Sequence, residues 1–323
     1  PLTGLPEPVF FLAWTTTPWT LPGNSGLMVK PDGAYVAAQH EGEVLILAEA
    51  LLAANLGEDA TVLRTFKGSE LSGIHYEPLY RGIPSPSETI DWDDAYRVVA
   101  DDYVSLEDGT GVVHTAPAYG DLEIGRRHGL PTLFSVDLTG AMMALPDLSE
   151  LEGQFFKEAD PHIIRNLKDR GLLYRSGRVK HTYPFCWRCD APLLFFAKSS
   201  WYIRTTARKE RLLSGNDTIH WVPDHIKYGR FGNWLENNID WAISRERYWG
   251  TPLPIWECAC GHQACIGSVA ELSEKAGRDL SQLDLHRPYI DEVTWPCPEC
   301  GGAMTRMPDV LDAWFDSGAM PVA

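Results

Sequence analysis

The stretch "WTTTPWTLPGN", Trp14 to Asn24, sets four threonines, two tryptophans and two prolines into eleven residues. The apolar run "VFFLAW", Val9 to Trp14, leads into it, so the pattern predicts a β-strand feeding a stiff, hydroxyl-rich loop. Pro18 and Pro22 each remove a backbone donor and bias Thr17 and Leu21 toward extended geometry, which predicts that the loop is not helical. A threonine run at a strand end also makes a plain structural turn, its hydroxyls bonding to nearby backbone. The stretch alone does not separate the two readings.

The rest of the chain sets bounds. Its 323 residues, 44% of them hydrophobic, suit two soluble globular domains. No apolar run approaches the ~20 residues of a membrane span, so no membrane is expected. The chain starts at Pro1 without a signal-like charge pattern and ends on "WFDSGAMPVA", which reads as a piece of a longer protein. A net charge of −16 argues against a surface that binds nucleic acid indiscriminately. Local patches remain, the best being "RNLKDRGLLYRSGRVK" from Arg165 to Lys180. It suits either nucleic-acid contact or a solvated helix and hairpin.

The first part of the chain reads as short strands at 26–29, 35–39, 43–48, 61–66, 96–104 and 109–116, with helices near 48–56, 121–129 and 157–171. That predicts an α+β fold whose first domain is β-barrel-like. Past Tyr183 the tryptophans and cysteines become frequent, and 204–216 and 230–250 read as helical. Within "EDGTGVVHTAPAYGDLEIGRRHGLP", Glu107 to Pro131, Gly109 and Gly111 permit a turn into a strand that ends near His114, and Asp121 opens a helix. Taken alone, His114 also suits a structural histidine and Asp121 a plain cap.

All seven cysteines fall after position 185, six of them in three close pairs with Cys265 apart, which suggests metal in a reducing compartment rather than disulfides. Cys258 and Cys260 together with Cys297 and Cys300 suit tetrahedral zinc, clamping a module at 256–306. The first pair has one intervening residue where two are usual, so Cys265 or His262 is an alternative ligand. Cys186 and Cys189, in "CWRC", form a half-site, and no strand-to-helix setting supports a thioredoxin-like role for them.

Five motifs, "WTTTPWTLPGN", "GTGVVHTAPAYG", "HTYPFCWRCDAPL", "DWAISRERYWGTPLPIW" and "DVLDAWFDSGAMP", resemble in content and order those of class I isoleucyl-tRNA synthetases, and together they cover nearly the whole chain. The valyl and leucyl relatives carry a TTRP-type threonine motif, whereas this chain has Thr15-Thr16-Thr17-Pro18-Trp19. The resemblance implies an editing domain at 1–182, inserted in a Rossmann catalytic fold. A connective core would follow at 183–255, the zinc module at 256–306, and the start of the return to the Rossmann fold at 307–323. It implies hydrolysis of Val-tRNA(Ile), and of valyl-adenylate, by a positioned water in a cytoplasmic, bacterial, monomeric enzyme whose partner is the acceptor end of tRNA(Ile).

By the same resemblance, Thr15, Thr16, Thr17 and Asn24 line the editing site, Trp19 and Thr20 shape the side-chain pocket, and Tyr183 contacts substrate. His114 closes that pocket near the ester. Asp121 pairs with the α-ammonium group. The loop before Asp121 looks about two residues shorter than in many relatives, which leaves Glu123 as the alternative carboxylate. Trp314 resembles a wall of the isoleucine pocket in the synthetic site, although motifs of HIGH and KMSKS type are absent from the chain. A hydrophobic pocket gains only about 1–3 kcal/mol from one methylene, so valine escapes rejection at the synthetic site and a second site must remove it; the principle has isoleucyl-tRNA synthetase as its own example. Two other readings are a non-catalytic zinc-ribbon tRNA-binding module and the editing domain of a valyl-type enzyme.

Overall fold

The computed structural model describes residues 1–85, 89–117, 121–178 and 182–322. The chain divides into two compact units, Pro1–Ala197 and Lys198–Ala323. The first unit runs β1 (Val9–Phe11), β2 (Gly26–Val29), β3 (Ala34–His40), β4 (Glu43–Ala48), α1 (Leu52–Leu56), β5 (Thr61–Lys67), α2 (Gly68–Leu71), β6 (Ile83–Pro84), β7 (Arg97–Ala100), β8 (Val113–Thr115), α3 (Asp121–Arg127), β9 (Leu133–Phe134) and α4 (Phe156–Asp169).

The strands β1-β4-β3-β5 form one mixed sheet and β7-β2-β8 another, with β1–β4 and β2–β7 parallel and the other pairs antiparallel. The β3–β4 hairpin turns on Glu41 and Gly42, both at positive φ, the geometry that two-residue hairpin loops favour. Along β4, Val44, Ile46 and Ala48 face one apolar cluster while Leu45 and Leu47 face another, which is why "EVLILA" reads as an unbroken apolar run. Leu27 and Val29 of β2 and Val98 of β7 share the first of these clusters with β3 and β4. Among the described residues neither sheet closes on itself, the edges being β1 and β5 in one and β7 and β8 in the other, so the barrel-like expectation is met as two open sheets sharing a core. The strand expected at 96–104 is limited to β7, since Tyr96 takes a positive φ and the Asp101 carboxylate turns the chain by accepting from the Tyr103 amide.

A third core joins α4 to the Trp14–Asn24 loop. Phe156, Ala159, Ile163 and Leu167 line one face of α4 and pack with Trp19, Leu21 and Tyr80. Leu194 and Phe196 pack on the same cluster, which carries the first unit beyond residue 182.

The second unit runs β10 (Tyr202–Ile203), α5 (Lys209–Asp217), α6 (Arg230–Glu236), β11 (Trp241–Ala242), β12 (Ser244–Arg245), β13 (Ile255–Glu257), β14 (Gln263–Cys265), α7 (Val269–Ala276), β15 (Trp295–Pro296), β16 (Ala303–Arg306), β17 (Val310–Leu311) and α8 (Ala313–Ala319). All its described strand pairs are antiparallel. The helix expected over 230–250 stops at Glu236. Asp240 accepts from the Thr206 amide (3.0 Å) and hydroxyl (2.6 Å), and the chain then extends so that β11 pairs with β10. Among the described residues no helix is long and apolar enough to cross a membrane.

Candidate functional site

The threonine loop is not the irregular segment that its prolines suggest. Pro18–Gly23 is a 3-10 helix with Pro18 at its start, where a missing N–H costs nothing. Pro22 cannot donate to the Trp19 carbonyl, and the Ser135 hydroxyl does so instead at 2.8 Å. Helical turns therefore form around both prolines.

This turn and the residues before it set two threonine hydroxyls against one imidazole, with a third threonine bonded to both. His114, on β8, stands in register with Leu27 of β2. Its Nε2 lies 3.2 Å from the hydroxyls of both Thr20 and Thr15. Thr17 Oγ1 is 3.1 Å from Thr20 Oγ1 and 3.3 Å from Thr15 Oγ1. The Thr20 hydroxyl donates to the Thr17 carbonyl at 2.7 Å, so toward the imidazole Thr20 accepts, which assigns the proton to Nε2. Burial depresses the His114 pKa to about 4. The ring is therefore neutral at pH 7, with Nδ1 buried and unpartnered.

The other expected groups divide. Thr16 is exposed. Asn24 is turned into the fold: its amide donates to the carbonyls of Gly26 (2.8 Å) and Thr115 (3.2 Å), and its oxygen accepts from Tyr76. It fastens the end of β2 rather than facing open space. Trp19 and Thr20 line a small pocket with Pro117, Phe134, Ser135 and Phe196. Tyr183 donates to the Leu193 carbonyl at 2.7 Å, and Lys157 sits 4.3 Å over its ring.

Asp121 is the first residue of α3 and lines an adjoining pocket with Ser25, Thr115, Leu130 and Thr132; Ala116 and Pro117 border both pockets. Burial pushes its carboxyl up to about 7, against a long 3.5 Å bond from the Ala116 amide that favours the charged form. Glu123 is exposed. The loop whose length raised the choice between them, residues 118–120, lies outside the described residues.

Sequence reasoning missed Asp160. From α4 its Oδ1 accepts the Trp19 amide at 2.9 Å, and burial raises its carboxyl to about 6. The legible signal was its place four residues after Phe156 and three before Ile163, an acid on the apolar side of an amphipathic helix.

In the second unit, the sulfurs of Cys258, Cys260, Cys297 and Cys300 all lie within 4.8 Å of one another. Cys258 and Cys300 approach to 3.3 Å, and Cys260 and Cys297 to 3.7 Å. Ligands about 2.3 Å from a tetrahedral zinc stand close to these separations, so the set fits that ion. The pairs sit on two turns, between β13 and β14 and between β15 and β16, and the Gly302 amide points at Cys300 Sγ (3.4 Å). Cys265 lies on β14 and His262 pairs with Glu299, both outside the cluster. Cys186 and Cys189 join no such group among the described residues. Trp314 is 76% exposed on α8. Of the basic stretch, Arg165, Lys168, Arg170, Arg175 and Arg178 are exposed, and Lys180 lies outside the described residues.

Residues 147–323 match the family model described as tRNA synthetases class I (I, L, M and V). The chain is 50% identical to an isoleucine–tRNA ligase of Dehalococcoides mccartyi over 98% of its own length and 32% of that protein. It is likewise 50% identical to an isoleucine–tRNA ligase of Thermus thermophilus, over 98% of this chain and 30% of the relative. It thus spans about a third of the length of these curated relatives. Among solved structures it is similar to the crystal structure of GlLeuRS-CP1, at a TM-score of 0.39 and 17% identity over 54% of this chain and 85% of the other.

Proposed function

Because the chain belongs to the class I tRNA synthetases of the I, L, M and V group, we propose that it is the editing portion of an isoleucine–tRNA ligase, which hydrolyses the ester of Val-tRNA(Ile). The observation that carries the reading is the neutral cluster of Thr15, Thr17, Thr20 and His114 beside the Trp19–Thr20 pocket. Hydroxyls and a neutral imidazole bind a ribose and an ester without a competing charge, and they orient a water toward the carbonyl carbon. Water oxygen bonds to that carbon, the carbon–ribose oxygen bond breaks, and the released ribose oxygen takes the proton. Free valine and tRNA result.

Asp121 supplies the charge. Its carboxyl, held near neutrality by burial, becomes a carboxylate when an α-ammonium group docks against it, and the pair fixes the amino acid's orientation. His114 does not serve as a general acid at neutral pH, because burial keeps it neutral, and its free lone pair, on the buried Nδ1, meets no hydroxyl. Through its contact with Thr20, which lines the pocket, its ring would limit the space left for the side chain. Cys258, Cys260, Cys297 and Cys300 would hold a structural zinc, which four thiolates close to substrate, so the ion shapes the module and takes no part in hydrolysis. The acceptor end of tRNA(Ile), in the cytoplasm, would be the partner of a monomer whose editing domain occupies 1–182.

Single-turnover deacylation of Val-tRNA(Ile) by the purified chain tests this. Release of valine supports the reading, and an intact ester overturns it. The exposed basic residues at 165–178 favour one rival, a tRNA-binding module without catalysis. That rival retards tRNA on a gel and leaves the ester whole.

A further inference from the structure

We propose that Asp160 is a positioning residue that holds the Trp19–Thr20 wall of the side-chain pocket and thereby sets the largest side chain admitted; this rests on the aminoacyl-ester reading above. The Trp19 amide is one of the first donors of the Pro18–Gly23 turn, which has no side-chain cap from its own N-cap residue, Thr17. Its acceptor comes from 141 residues away, on α4, at 2.9 Å. A remote carboxylate thus caps the turn that carries the pocket wall.

The same helix holds the Trp19 side chain. Phe156, one turn before Asp160, meets the Trp19 ring edge-on with centroids 5.0 Å apart. The indole Nε1 is buried without a partner, so the ring has no polar tether of its own. Backbone and ring of Trp19 are therefore both referred to α4, one by the Asp160 bond and one by packing. Asp160 Oδ2 is 3.9 Å from Lys157 Nζ, and Lys157 lies over Tyr183, so the carboxylate is braced on its far side. Its side chain is only 18% exposed. Thr20, next in sequence to Trp19, carries the hydroxyl that meets His114. A shift of this backbone moves the wall and the His114 contact together.

Asp160 touches none of the threonine hydroxyls in the hydrogen bonds described above, so its removal alters where the wall stands and leaves the hydrolytic groups present. The change appears as selectivity between side chains that differ by one methylene. Wild type, Asp160→Ala, Asp160→Glu and Asp160→Asn of the full chain are compared in single-turnover hydrolysis of valyl- and isoleucyl-tRNA(Ile), beside thermal melts. Amide exchange over residues 17–21 is followed in the same samples. Asp160→Ala and Asp160→Glu are expected to raise the isoleucyl-to-valyl rate ratio by on the order of tenfold, the low end of what one methylene is worth in a pocket. They also speed exchange at Trp19. Asp160→Asn keeps an acceptor at Oδ1 and restores both readouts to near wild type.

An unchanged ratio in both the Ala and Glu variants, or a proportional fall in both rates, overturns the proposal. If Asp160→Ala does not fold, the Glu variant decides it. Wild type that hydrolyses neither ester overturns the aminoacyl-ester reading itself and the selectivity role with it, and the exchange data then show separately whether Asp160 holds the turn.

Discussion

Replacing Asp121 by Asn separates what the carboxylate does for the fold from what it does for the reaction. Burial raises its pKa from 3.8 to about 7. At about 1.4 kcal/mol per unit, that is a ceiling of about 4 kcal/mol by which the folded state disfavours the ionised form. Solvent relaxation around a partly open pocket leaves roughly half, about 2 kcal/mol. The sign follows from linkage. Below pH 4 the group is protonated in both states and costs nothing. Between about pH 4 and 7 the unfolded chain releases the proton while the folded chain retains it, so stability is lost as pH rises through that window. Asp121→Asn removes the loss, and the first unit should melt about 4–8 °C higher than wild type at pH 8 and at the same temperature at pH 4. Deacylation should nonetheless slow at least about tenfold at pH 8, since a charge-assisted bond to the α-ammonium contributes roughly 1.5–3 kcal/mol. Differential scanning calorimetry at the two pH values beside single-turnover kinetics checks both halves. A variant that melts lower at pH 8, or one that hydrolyses at the wild-type rate, refutes the reasoning, and loss of hydrolysis only in Glu123→Ala would transfer the role to that residue.

Elemental analysis should find one zinc per chain, lost in Cys300→Ser; two equivalents would implicate Cys186 and Cys189, and none would remove the metal from the second unit. His114→Ala should raise hydrolysis of the isoleucyl ester relative to the valyl ester, with an unchanged ratio removing the ring from the pocket boundary. The same variant should lose part of the wild-type fall in stability on acidification from pH 6.5 toward 4, since the folded ring, with its pKa depressed to about 4, resists a proton that the unfolded chain accepts. Gly82→Ala should destabilise the first unit by about 1–3 kcal/mol in a urea melt, because a Cβ there would stand 2.6 Å from the Pro22 carbonyl and 2.9 Å from Leu133 Cβ.

The strands were legible where burial forces an apolar pattern, as in "EVLILA", and the cysteine cluster was legible because its ligands come in close pairs. The open sheets were not, since strand pattern carries no information about which edges pair. The 3-10 turn over the two prolines was missed because the compensating donor, Ser135, is 116 residues away from Trp19. Asn24 illustrates the same limit: its residue type suits a substrate contact, but Tyr76 and two strand carbonyls engage it. Asp160 was not singled out at all, although its apolar-face position marked it. Local chemistry was readable; its partners were set by tertiary contact.

Burial moves three titratable groups of the candidate site toward neutrality, His114 down to about 4, Asp121 up to about 7 and Asp160, behind Trp19, up to about 6. At neutral pH His114 is uncharged and Asp121 only partly charged, and on the proposed reading the α-ammonium of an aminoacyl ester would complete the site. Docking that cation draws the Asp121 pKa back toward the ordinary carboxylate range, and each unit of that return contributes about 1.4 kcal/mol to binding. An N-acetylated valyl ester has the same side chain and the same scissile bond but no cation. It gains none of this. N-acetyl-Val-tRNA(Ile) should accordingly resist the chain by at least about tenfold relative to Val-tRNA(Ile) at pH 7, and Asp121→Asn should narrow that gap. Equal rates on the two esters in wild type would mean that orientation comes from the ribose and side chain alone, and the carboxylate of Asp121 would then be left as a cost to the fold without a return in the reaction.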